Sequence, residues 1–143
     1  MTPTRRRGGF TLVELAVAAA ILAILAAVAL PAYQSTVRKS RRADAITAMQ
    51  SVQQAQERWR ANNASYNASI GTGPAQISIG AASPATPEGY YTLALSAATA
   101  TGYVVTATAT TKARQDRDSA CASMVLTYDA GATTLDPASC WAR

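Results

Sequence analysis

Four groups of residues in this 143-residue chain could do chemistry: Glu14 inside an apolar run, the cationic cluster Arg38, Lys39, Arg41 and Arg42, the acidic pair Asp116 and Asp118, and Cys121 with Cys140. None is an enzyme's constellation. Histidine is absent, which removes the commonest general base, the usual catalytic triads and most zinc designs. No GxSxG or phosphate-loop signature occurs either. The chain therefore reads as a non-enzyme without cofactor or metal. Asp116 and Asp118 alternate as two calcium ligands would, but they lack a central glycine and further acids, and they read as turn-stabilising side chains.

Net charge is +5, yet Arg5, Arg6 and Arg7 supply three of the 13 basic residues, and without them ten basic residues face eight acidic ones. So small an excess does not point to nucleic acid. The cluster at 38–42 has no interleaved aromatics and follows an apolar segment, so it reads as solvated or lipid-facing, with a DNA-contacting cluster as the lesser alternative. Cys121 and Cys140 lie far apart in a tail expected to be exported, which reads as one disulfide in an oxidising compartment. A buried pair of free thiols is the alternative.

From Phe10 to Leu30 the chain is almost wholly apolar. Roughly 20 residues at about 1.5 Å each match a hydrocarbon core of ~30 Å. An ordinary secretory signal, a plain anchor and a leader cut ahead of the apolar stretch all fit this run. Ala27, Val28 and Ala29 offer a small-x-small signal-cleavage pattern, with Pro31 unfavourably close. A twin-arginine signal fits less well, because Gly8 and Gly9 displace the expected apolar pair. Only the third explanation accounts for Glu14, a carboxylate that costs a few kcal/mol inside a membrane and is a functional candidate by default.

The run Gly8-Gly9-Phe10-Thr11-Leu12-Val13-Glu14-Leu15 resembles the class III leader junction of type IV prepilins. The resemblance implies that a membrane peptidase cuts between Gly9 and Phe10 and methylates the new Phe10 amine. Glycine suits that position because it admits the backbone to a protease cleft and discourages helix in the leader. It further implies that Glu14, four residues on and on the same helix face as Phe10, pairs with the Phe10 amine of a neighbouring subunit. That pairing cancels two charges in apolar surroundings and sets axial register. Basic residues flank the span on both sides, so orientation rests on the junction.

Beyond Pro31, where a bend or local opening is expected, residues 32–61 contain no glycine or proline and favour continued helix to about Asn62. The whole helix would be ~80 Å long. Tyr33, Val37, Ile46, Met49, Val52 and Trp59 form an apolar stripe opposite Gln50, Gln54, Glu57 and Arg58, expected to lie under the tail. Asn62 and Asn63 would close the helix in a left-handed turn.

Residues 64–89 are rich in Ser, Gly, Pro, Ala and Thr and read as a long surface connection. The sequons at Asn63 and Asn67 lack an upstream acidic residue, and glycosylation is not expected. Strand-like runs follow at Tyr90–Ser96, Tyr103–Thr110 and Ala122–Asp129, economically joined as an antiparallel meander with one face on the helix. A bridge from Cys121 to Cys140 would close a loop containing an Ala130-Gly131 turn. Gln115-Asp116-Arg117-Asp118 and Cys140-Trp141 resemble the ends of PilE-type pilins.

The reading is an α+β pilin fold divided as leader 1–9, apolar helix 10–31, amphipathic helix 32–62 and β domain 63–143. The resemblance implies a pilus subunit, a minor pilin rather than the main one, supporting assembly and with it twitching or adhesion. Implied partners are other pilin subunits, the prepilin peptidase and an inner-membrane assembly platform. The inner membrane holds the chain before assembly, tail in the periplasm, and the cell-surface pilus holds it afterwards. A type II secretion pseudopilin and, from another class, a secreted soluble binding module with an ordinary signal peptide are the alternatives.

Overall fold

Forty-nine residues without a glycine form the single long helix, α1 (Leu12–Arg60), in a computed structural model that describes residues 9–80 and 84–141. The chain divides into two compact units, Met1–Thr36 and Val37–Arg143. In the first, α1 carries an 18-residue window of mean hydropathy 2.7, none of it buried, so it is long and apolar enough to cross a bilayer. Pro31 lies inside α1. Its ring has no N–H to give to the preceding turn, and the helix runs on through it to Arg60. One turn later the Ser35 and Thr36 hydroxyls both donate to the Ala32 carbonyl, at 2.8 and 3.0 Å.

The helix is shorter than expected at both ends. At its start Thr11 caps the first turn. At its close the Asn63 side-chain amide donates to the Trp59 carbonyl at 2.8 Å, and the Asn62 and Asn63 amides reach Trp59 and Arg60 at 3.1 and 3.4 Å. Neither asparagine adopts the expected left-handed conformation, which falls elsewhere among the described residues. A side-chain cap replaces the left-handed turn.

In the second unit β1 (Tyr91–Ser96), β2 (Gly102–Ala109), β3 (Ser123–Asp129) and β4 (Ala132–Asp136) form one antiparallel sheet in sequential order. The expected meander is present, with one strand more. Registers such as Leu93↔Ala107, Val105↔Leu126 and Thr127↔Thr134 fix which side chains share a face. Tyr91, Leu93, Tyr103, Val105, Ala107, Met124 and Leu126 pack with Ala45, Ala48, Met49, Val52 and Ala55 of α1. The buried helix face is thus mostly alanine, whereas Ile46 and Trp59 of the expected stripe sit at its margin. Small helical side chains leave room for Tyr91, Tyr103 and Met124, which are fully buried. Each such side chain stabilises by roughly 1.5–3 kcal/mol.

Strand β4 escapes the sequence because it is exposed along its whole length and so shows no buried-face alternation. The Ala130-Gly131 turn that delivers it has φ of 47° and 91°, the left-handed pair required by a two-residue hairpin. Gly102 is required for another reason, since a Cβ there would run into the Tyr128 carbonyl across the ladder.

The connection after α1 is tied down by buried polar bonds. Gln56, fully buried on the helix, donates to the Asn67 carbonyl at 2.7 Å and accepts from the Asn67 amide at 2.9 Å. The Asn67 side chain is itself buried and donates to Ala75, which closes that sequon to modification. Tyr66, Tyr103 and Tyr128 pack ring against ring at 4.9–5.6 Å. Burial pushes the Tyr66 hydroxyl up to about 12 and raises that of Tyr103 as well, so both stay neutral.

Cys121 and Cys140 are fully buried and joined as a disulfide across 19 residues. Replacing both by serine is expected to cost about 3 kcal/mol of unfolding free energy, by the loop entropy restored to the unfolded chain. Denaturant unfolding of the full chain in detergent measures it, and a loss below ~1 kcal/mol would show that the loop is held by its strands alone.

Candidate functional site

The junction and a cationic face are the two places where charge gathers. At the junction Gly9 and Phe10 precede the helix in non-helical chain, and Phe10 is 92 % exposed. Thr11 and Glu14 form a capping box: the Glu14 carboxylate accepts from the Thr11 amide and hydroxyl, both at 2.9 Å, while the Glu14 amide reaches the Thr11 hydroxyl at 3.2 Å. Helix therefore starts at Leu12, and Phe10 does not share a helical face with Glu14 within this chain. The reason is local, since the cap satisfies the first turn's amides and leaves nothing to extend the helix backwards. Arg5, Arg6, Arg7 and Gly8 lie outside the described residues.

The cationic face is built from segments about 70 residues apart. Residues 38–42 of α1 meet a short 3-10 segment, Lys112–Arg117. Arg41 Nη1 donates to the Ala113 carbonyl at 2.9 Å, and Gln115 Nε2 donates to the Arg38 carbonyl at 3.2 Å. Arg42 grips Asp118 in a two-pronged pair, Nε to Oδ2 at 2.7 Å and Nη2 to Oδ1 at 2.8 Å. The hydrogen bonds to Asp118 raise the Arg42 pKa further above its ordinary value. Asp118, largely buried, is committed to this pair and to Gln115, which leaves Asp116 alone as an acid of the expected alternating pair.

Tyr90 joins the two segments. The Arg41 guanidinium lies 4.9 Å from its ring centroid and the Lys112 ammonium 5.3 Å, both within cation–π range. Lys39, Arg114 and Arg117 of the same two segments are exposed. The aromatic that is missing from the basic cluster in sequence is thus supplied by the fold. Ala113 and Arg114 both take positive φ, 50° and 59°, a conformation that costs roughly 1–2 kcal/mol per residue without glycine. The Ala113 carbonyl, the Arg114 amide bonded to Thr111 and the Asp116 amide bonded to Thr110 hold that turn in place.

Residues 31–125 match the profile of the family described as type IV minor pilin ComP, DNA uptake sequence receptor, and residues 4–30 match the prokaryotic N-terminal methylation motif. The chain belongs to the ComP family of type IV minor pilins. It is a structural subunit of a type IV pilus, and the membership favours neither the pseudopilin nor the secreted module. The methylation motif and the apolar helix are those of a pilin anchored in a membrane before assembly. No curated protein sequence matches it.

Sequence reasoning missed Tyr90, Lys112, Arg114 and the role of Gln115 on the pilin's basic face. Tyr90 and Lys112 carry no signal until the sheet brings them beside α1. Gln115 sits in a charged run, yet it is fully buried with its amide bonded to the Tyr91 hydroxyl at 3.0 Å. The Arg42–Asp118 pair lies mostly out of solvent, with the two side chains 15 % and 9 % exposed. Arg42→Ala and Asp118→Ala are each expected to cost about 2–3 kcal/mol, because each leaves a desolvated charge unpaired. The double variant should lose less than the two costs combined. Additive losses in a double-mutant cycle of thermal unfolding would mean that the pair is not coupled.

Proposed function

We propose that this minor pilin receives DNA on the face built from residues 38–42 and 112–117. The observation that carries the reading is the convergence of these two cationic segments around Tyr90. Phosphates are met by exposed cations, and Lys39, Arg114 and Arg117 supply them. The left-handed turn at Ala113 and Arg114 holds two of these cations on a strained but tethered segment, a device found at ligand clamps. The family description, DNA uptake sequence receptor, agrees with this reading.

A full-length pilin in detergent is expected to bind fluorescent DNA with an affinity that falls steeply with salt. Arg114→Ala with Arg117→Ala should weaken binding about tenfold at low salt and flatten the log–log salt slope by roughly two. Fluorescence anisotropy measures both. An unchanged slope would remove these arginines from the interface.

For assembly, the proposal is a cut between Gly9 and Phe10 by the prepilin peptidase, methylation of Phe10, and pairing of Glu14 with the Phe10 amine of a neighbouring subunit on the inner-membrane platform. The pilin waits as a single-pass inner-membrane protein with residues 37–143 in the periplasm, then enters the surface pilus. Support comes from the methylation motif, the non-helical chain at Gly9 and Phe10 and the exposed carboxylate at Glu14, which already accepts hydrogen bonds from Thr11. Mass spectrometry of sheared pili should find a peptide beginning with methylated Phe10. Glu14→Ala should lower the pilin's abundance in pili at least tenfold with its membrane level intact. A mature start near Leu30 would sink the assembly reading.

A further inference from the structure

Beside the basic face an open groove of about 670 Å³ runs between α1 and the turn before β1. Val37, Pro87 and Tyr90 give it apolar walls, and Arg41, Asp44 and Glu88 are its charged members. These charges are not equivalent. Asp44 is fully engaged, one oxygen accepting from the Glu88 amide at 3.1 Å and the other from the Thr86 hydroxyl and the Tyr90 amide at 3.3 Å. It fixes the turn and offers nothing further. Glu88 has its backbone held from both sides, by Asp44 and by the Lys112 ammonium on its carbonyl, while its side chain is exposed. Arg41 lies over the Tyr90 ring and is tethered by its Nη1 bond to Ala113, which leaves the Nε and Nη2 edge of its guanidinium to donate.

The groove therefore offers one fixed pair of donors and one carboxylate acceptor between apolar walls. A concave site of this kind cannot admit base-pair edges recessed in a duplex, but it admits a single unstacked base. Among the four DNA bases only guanine presents O6 and N7 as adjacent acceptors on one edge, and N1–H with the exocyclic amine as adjacent donors on the other. Adenine puts a donor where Arg41 needs an acceptor. Thymine and cytosine have no second edge of matching length.

We propose that this groove takes one unpaired guanine of the bound DNA, with Arg41 donating to O6 and N7 and Glu88 accepting from N1–H and the exocyclic amine. The inference rests on the DNA-binding reading above and adds a base preference to it. Exposed cations supply affinity, and the tethered arginine with the Glu88 carboxylate on the same groove supplies discrimination.

The test uses the full-length pilin in detergent and single-stranded thymine oligonucleotides that carry one guanine, one 7-deazaguanine, one inosine or none. The guanine oligonucleotide is expected to bind about tenfold more tightly than the all-thymine one. Most of that advantage should disappear with 7-deazaguanine, which lacks the N7 acceptor, and with inosine, which lacks the exocyclic amine. Arg41→Lys should become insensitive to 7-deazaguanine while still sensing inosine. Glu88→Ala should do the reverse. It should also bind every oligonucleotide slightly more tightly, since it removes a carboxylate from the phosphates' surroundings. Circular dichroism controls for the fold of Arg41→Lys, and Glu88→Ala, altered only at an exposed side chain, carries the test independently.

Equal binding of the guanine and all-thymine strands would overturn the guanine site and leave the DNA face standing. Analogue sensitivities unchanged in both variants would overturn it too, as would tighter binding of the same guanine in a duplex. No binding to any oligonucleotide at low salt would overturn the DNA reading itself.

Discussion

The two-pronged bond between Arg42 and Asp118 is the constraint on which the second unit's surface depends. Residues 38–42 carry four cations and residues 112–117 three more, and bringing them together is unfavourable by Coulomb's law unless something offsets it. Asp118 does so from inside the cluster, neutralising the cation that points inward and leaving the others to face water. A bidentate guanidinium–carboxylate pair also fixes direction as well as distance. The 3-10 segment is thereby set in one register on α1, with Arg41 under the Ala113 carbonyl and Gln115 under the Arg38 carbonyl.

Polar anchors, one half-buried and one fully buried, repeat along the same helix. Asp44 holds the turn before β1 through the Thr86 hydroxyl and two amides, and Gln56 holds the segment after α1 through both ends of its side-chain amide. Each sits on the helix and reaches backbone in a loop that lacks ladder partners of its own. A long connection rich in small residues would otherwise leave buried amides and carbonyls unpaired, at roughly 1–3 kcal/mol each. The helix thus does two jobs at once. Its alanines make room for the aromatic residues of the sheet, and its polar side chains, one turn or more apart, order the loops that the sheet cannot reach.

How much of this is legible in sequence follows from the range of the interactions. The apolar run and three of the four described strands are local patterns, and they are present where the residues put them. Strand β4 is not, because its pairing with β3 is encoded in a turn and in exposed side chains without alternation. The position of the disulfide was readable from compartment and spacing. The basic face was not, although half of it is visible: Arg38, Lys39, Arg41 and Arg42 stand in a row, but Tyr90, Lys112 and Arg114 join them only through tertiary contacts. The same limit applies to Asp116 and Asp118, alike in sequence and opposite in fate, one exposed and one buried against Arg42.

The proposed roles place incompatible requirements on the surfaces of the two units. A helix face that must leave lipid and enter a protein bundle has to be apolar and nearly charge-free, because any unpaired charge there costs several kcal/mol in either setting. A face that meets a polyanion needs the opposite, clustered cations in water. In the first unit the one described charge within the apolar run, Glu14, is satisfied at once by its own Thr11. In the second the clustered charges are kept exposed, and the few that turn inward are paired. Both solutions place a carboxylate where a hydrogen-bond donor already waits, and that is why neither charge in the apolar helix nor cations in the cluster compromise the fold that carries them.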